Sequence, residues 1–136
     1  MKRKRYQPND SREWLNRAKS SLAQAQVRVK GVYLEDLCFN AQQTVEKAFK
    51  ALLIADNIEF PYTHDLSELL TVIEKTGIKI PETAKTAAIL TEYAVESRYP
   101  GLGEQVSIHE YQKAIKLAAY VVKWVEKLIL PRKNRR

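Results

Sequence analysis

Only four glycines and five prolines punctuate this chain of 136 residues, and it holds a single cysteine. One thiol, Cys38, excludes an internal disulfide framework and a cysteine zinc site, and it fits a reducing cytoplasm. So few glycines leave no glycine-rich cradle for phosphate. No apolar run approaches the roughly 20 residues that a membrane helix needs, so a soluble protein with no membrane association is expected. The polar stretch from Tyr6 to Arg17 supplies no hydrophobic region for a secretory signal. With just two histidines, His64 and His109, and no ligand spacing around them, no metal or other cofactor is expected. What remains is 45% hydrophobic and 29% charged, enough apolar material for one cored domain and too much for a disordered chain.

The net charge of +7 is concentrated at the ends. Lys2, Arg3, Lys4 and Arg5 open the chain, and Arg132, Lys133, Arg135 and Arg136 close it. Without those eight, 15 basic residues face 16 acidic ones. The organisation read from this is a basic tail over 1–8, a helical body over 9–130 and a basic tail over 131–136. Such tails read as solvated ends; their alternative use is salt-sensitive contact with RNA, DNA or an acidic partner.

Prolines and glycines fall where they divide the chain into helical segments, and no segment alternates as a strand. A first helix begins near Asp10, with Asp10 and Glu13 in capping-box relation and Trp14, Ala18, Leu22 and Ala25 as its buried stripe. A second, from about Leu34 to Asn57, repeats Leu37, Ala41, Val45, Ala48 and Leu52. A short third, capped by Thr63 or Asp65, carries Leu66, Leu69, Leu70 and Ile73 and stops at Gly77. A fourth starts around Pro81 and presents Ala84, Ala87, Ala88, Thr91, Ala94 and Val95 before Pro100. The fifth opens on the capping box Ser107 to Glu110 and runs to Leu130, with an apolar side broad enough to meet another subunit. The expectation is an all-α, up-and-down antiparallel helical bundle, four long helices plus one shorter helix.

Three polar groupings could carry chemistry. Gln42, Gln43, Glu46, Lys47 and Lys50 crowd one side of the second helix, where a solvated face explains them and a phosphate or base-edge site is the alternative. His64 beside Asp65 can transfer protons, although Asp65 also suits a helix cap. Arg98 and Tyr99, before Pro100 and Gly101, combine a planar phosphate fork with a stacking ring.

In order, Cys38 to Leu53 (CFNAQQTVEKAFKALL), Thr63-His64-Asp65-Leu66 and Ser97-Arg98-Tyr99-Pro100-Gly101 resemble the HEPN domain family. The resemblance spans Trp14 to about Ile129. It implies a helical bundle, commonly a homodimer, often paired with a minimal nucleotidyltransferase in toxin–antitoxin-like modules, with a nucleotide- or RNA-binding role. On it, Arg98, Tyr99, Gln43, Lys47, His64 and Asp65 border the binding cleft. Many family members are ribonucleases whose motif is an arginine, four to six intervening residues, then a histidine. Here the corresponding positions after Arg98 hold Gly103, Glu104 and Gln105, and His109 comes later, so the chain looks like the arginine-tyrosine-proline branch rather than the nuclease branch. The leading expectation is a cytoplasmic binding module. The alternatives are a metal-independent endoribonuclease toxin using Arg98 with His109 or His64, and a purely structural dimerisation protein.

Overall fold

The computed structural model describes residues 3–94 and 105–133, with side chains to residue 130 at the C-terminal end. Among the described residues five α-helices follow in order: α1 (Ser11–Gln26), α2 (Leu34–Ala55), α3 (Leu66–Lys75), α4 (Glu82–Thr86) and α5 (Ile108–Lys133). A 3₁₀ segment, Ala87–Ala94, continues α4. Among the described residues there is no strand, and no helix is long and apolar enough to cross a membrane. The all-α bundle expected from periodicity is what forms.

Helix α2 is the central element, packed on α1, α3, α5 and the 3₁₀ segment. Its fully buried row includes Ala41, Val45, Ala48, Phe49 and Leu52, with Cys38 in the same core. Each large apolar side chain buried this way contributes about 1.5–3 kcal/mol. Helix α1 runs antiparallel to α5, since Tyr111 at the start of α5 meets Ala25 at the end of α1 and Glu126, further along α5, pairs with the earlier Lys19. Helices α2 and α5 run the same way, since Glu35 meets Val106 at one end and Phe49 meets Trp124 at the other. The short α3, α4 and 3₁₀ pieces make the return path.

The fourth helix differs from expectation. Instead of a long α-helix it is five α residues followed by eight of 3₁₀. The physical reason is the spacing of its apolar residues. Ala84, Ala87, Leu90 and Tyr93 recur every third residue, and those are the positions buried. In a 3₁₀ helix, residues three apart line up on one edge, whereas in an α-helix they drift around the axis.

Local signals set the ends of the other helices. Asp10 caps α1 by accepting from Arg12 N at 2.9 Å. Glu13, its expected capping-box partner, instead accepts from Tyr6 N at 2.9 Å, and this hydrogen bond leads Arg17 in holding its carboxyl below the usual range. Asn16 donates to the Lys4 carbonyl and Trp14 to the Pro8 carbonyl, so residues 4–8 are strapped along α1. Trp14 is therefore only partly buried, and Leu15 takes the core position. Thr76 ends α3, and Gly77 follows at φ +90°, a conformation that costs a Cβ-bearing residue about 1–2 kcal/mol. Ser107 Oγ caps α5 through Glu110 N at 3.0 Å, as its capping box predicts.

The broad apolar side of α5 is largely spent within the chain. Tyr111, Ala114, Ala118, Val121, Val125 and Ile129 are all buried, because α5 packs on α1, α2 and α4 at once.

Candidate functional site

The polar row of α2 is not a solvated face. Gln42 is fully buried, Glu46 5% exposed and Lys50 7% exposed, because the non-helical segment between α2 and α3 folds over them. Spacing of four puts the three side chains in one line along the helix. Phe60, Tyr62 and His64, alternate residues of the covering segment, supply its contacts.

Glu46 is the hub. Its Oε2 accepts from Lys50 Nζ at 2.9 Å, and its Oε1 accepts from Gln42 Nε2 at 3.1 Å and lies 2.9 Å from His64 Nδ1. Burial pushes the Glu46 carboxyl up, but the hydrogen bonds from Lys50, His64 and Gln42 outweigh it and hold the group below the ordinary carboxylate range. An ionised carboxylate only accepts, so Nδ1 carries the proton and donates. That assigns Nε2 to the far edge of a side chain that is 57% exposed. Gln42 Nε2 also donates to the His64 carbonyl at 3.1 Å, and Gln43 Nε2 donates to Gln42 Oε1 at 2.8 Å. Lys50 Nζ, besides its ion pair, lies 5.8 Å from the ring centroids of both Phe60 and Tyr62. Tyr62 is 95% exposed and meets the His64 ring edge-on at 6.2 Å between centroids.

The arrangement is a buried, ordered polar network beneath an exposed pair of rings. The rings offer a π-face, and His64 Nε2 offers a hydrogen-bonding edge that accepts when the imidazole is neutral and donates when it is charged.

The structure joins some of the sequence-selected residues and separates others. Gln43 reaches His64 through Gln42. Asp65 caps α3, accepting from Ser67 N at 2.9 Å, while its own N–H donates to Thr63 Oγ1. Lys47 turns to α1, where Nζ meets Ser21 Oγ at 2.8 Å; burial and the charge of Arg17 lower its pKa. His109 is exposed in the first turn of α5. Arg98 and Tyr99 lie outside the described residues. On either side of that stretch, the Tyr93 hydroxyl meets the Glu110 carboxylate and Val106 N donates to Glu35 Oε1 at 3.3 Å. Burial, then the Glu110 hydrogen bond, raises the Tyr93 pKa. Among the described residues no three His, Cys, Asp or Glu side chains gather as a metal site.

Sequence reasoning did not assign Phe60 and Tyr62 to the site, and it read Glu46 and Lys50 as surface residues. The available signal was the alternation Phe60, Tyr62, His64 directly after the helix that carries Gln42, Glu46 and Lys50.

The geometry can be set beside known proteins. The family model for the HEPN domain matches residues 11–128. The crystal structure of an archaeal HEPN homologue is similar at 28% identity and a TM-score of 0.69, covering 88% of this chain and 98% of its own. A crystal structure from Thermus thermophilus is similar at 31% identity and a TM-score of 0.73, with the same coverage. Comparison with curated proteins gives no match.

Proposed function

The chain belongs to the HEPN domain family, and we propose that it is a nucleotide- or RNA-binding module of that family's arginine-tyrosine-proline branch. The observation that carries this reading is the exposed Tyr62–His64 ring pair held over the buried Glu46–Lys50 pair. Base stacking on an exposed ring is worth about 1–3 kcal/mol, and an imidazole fixed at Nδ1 by a carboxylate turns Nε2 outward, where the charged form donates to phosphate. Arg98 and Tyr99 add a guanidinium fork and a further ring to the same proposal on the strength of their motif. Gln43 borders the site through Gln42, and Asp65 fixes the start of α3 next to His64. In the cell, this reading makes the protein a cytoplasmic homodimer that works with a minimal nucleotidyltransferase in a toxin–antitoxin-like pair.

The test is a calorimetric titration of wild type, Tyr62→Ala, His64→Ala and Arg98→Ala with ATP and with a 12-nucleotide uridine RNA. The reading expects binding by wild type and at least about tenfold weaker binding by the variants. It fails if wild type binds neither probe, or if all three variants match it.

A second reading is favoured by one observation, the His64–Glu46 pair. A histidine oriented by a carboxylate can move a proton, so the ribonuclease alternative would use His64 in preference to His109. RNA cleavage in chelator that disappears in His64→Ala and survives in His109→Ala supports it.

A further inference from the structure

The near-neutral body between the tails is not evenly neutral. Residues 35–110 hold thirteen acids against six bases, whereas residues 14–34 and 111–125 hold no acid at all. Those two acid-free stretches are α1 beyond Glu13 with its following turn and most of α5, and the two helices pack side by side. One layer of the fold is therefore basic.

On α5 the cations are ordered. Lys113, Lys116, Lys123 and Lys127 are all exposed, and the spacings of three and four that run through Tyr120, itself 37% exposed, set the five residues in one row opposite the buried side. At 1.5 Å per residue the row is about 21 Å long. At its N-terminal end Lys116 also lines a depression of about 450 Å³ with Gln26, Tyr111, Gln112 and Ile115. The Arg28 guanidinium lies 5.9 Å from the Tyr111 ring centroid at the same place. The two acids of α5 are both engaged, Glu110, one turn from Lys113, with the Tyr93 hydroxyl and Glu126 with Lys19.

We propose that the lysine row of α5, with the Gln26–Gln112 depression at its head, is a binding track for the phosphate backbone of a single-stranded nucleic acid. Charge complementarity selects a polyanion. A row one residue wide, interrupted by a tyrosine and ending in a depression with two amides and an apolar floor, suits unpaired bases that stack and offer their edges, which a duplex withholds. This inference rests on the nucleic-acid reading above, yet it uses different residues, so the two can fail separately.

The experiment is fluorescence anisotropy of the full chain with labelled 12-nucleotide uridine RNA, thymidine DNA and a 12-base-pair duplex over a salt series. Each lost phosphate contact on a single strand reduces the slope of log K against log salt by about 0.7. The expected result is tighter binding of the single strands than of the duplex, whether RNA or DNA. Lys116→Gln with Lys123→Gln should lower the slope by about 1.4 and weaken binding at least tenfold at low salt. Tyr120→Ala should weaken binding with the slope unchanged. Lys79→Gln with Lys85→Gln, outside the basic layer, should bind as wild type. All these side chains are exposed, so folding is preserved.

Unchanged affinity and slope in the Lys116 and Lys123 double variant overturns the track, as does preference for the duplex. So does binding of a 12-residue polyglutamate in place of every oligonucleotide, which would make the row a protein-docking face. If the track fails while ATP or RNA binding still depends on Tyr62 and His64, the proposed function stands without it. Loss of all binding in wild type ends both.

Discussion

His64 Nδ1 lies 2.9 Å from Oε1 of Glu46, which ties an exposed imidazole to a carboxylate in the interior. The pair spans the junction between α2 and the segment leading into α3, so the entry to α3 is fixed from below. Gln42, donating to both Glu46 and the His64 backbone, locks the same junction a second time. The orientation of the outward ring edge is consequently a property of the core of α2.

Removing Glu46 should be costly because Lys50 would stay behind. Both side chains are under a tenth exposed, and a buried pair broken on one side loses about 3–5 kcal/mol. Glu46→Ala is expected to fall in that range in urea unfolding. Glu46→Met combined with Lys50→Met should recover most of the loss, since apolar replacement of both partners removes the stranded charge. A double variant as unstable as the single one would show that the pair is not the source.

The same carboxylate sets an acid limb. Its folded pKa is below the ordinary value, so its stabilisation is complete above the unfolded pKa of about 4.3 and disappears as pH falls through the folded value. The stability gap between wild type and Glu46→Gln should therefore be constant near neutrality and shrink below about pH 4. Comparing the two proteins cancels the similar contribution of Glu13. Unfolding midpoints measured from pH 7 to pH 3 decide it, and a gap that widens in acid would contradict the assignment.

Exposure separates binding from stability at the ring pair. Tyr62 is 95% exposed, so Tyr62→Ala should change unfolding free energy by about 0.5 kcal/mol or less. Under the proposed function it should still weaken ATP or RNA binding by about 1–3 kcal/mol. Thermal unfolding and titration on one preparation provide both numbers, and equal losses in each would mark Tyr62 as structural.

The helices were legible in the sequence because their signals are local. Asp65 before Leu66 and Ser107 before Glu110 each cap the helix they announce. The 3₁₀ segment was misread because Ala84, Ala87, Ala88, Thr91 and Ala94 also satisfy a 3.6 period, and only burial of Leu90 and Tyr93 selects the period of three. The site was half legible for a different reason. His64 and the amides stood out as residue types, but burial of Glu46 and Lys50 depends on a segment folding over them, and a charged row on a helix gives no local sign of being covered.

Tyr111 provides a test of how α1 and α5 are joined. Its hydroxyl donates to the Ala25 carbonyl at 2.7 Å, and Ala25 is in the last turn of α1, where carbonyls lack a partner within the helix. The bond is thus a cap supplied by a neighbouring helix. Tyr111→Phe keeps the ring and strands the carbonyl, which should cost about 1–3 kcal/mol. Burial raises the Tyr111 pKa, so the folded state favours the protonated phenol. Its stabilisation is complete below the unfolded pKa of about 10 and is lost as pH rises through the folded value. The gap between wild type and Tyr111→Phe should therefore hold from pH 7 to 9 and narrow above about pH 10, with the like contribution of Tyr93 cancelling in the difference. A gap absent at pH 7 would mean that solvent caps Ala25 equally well.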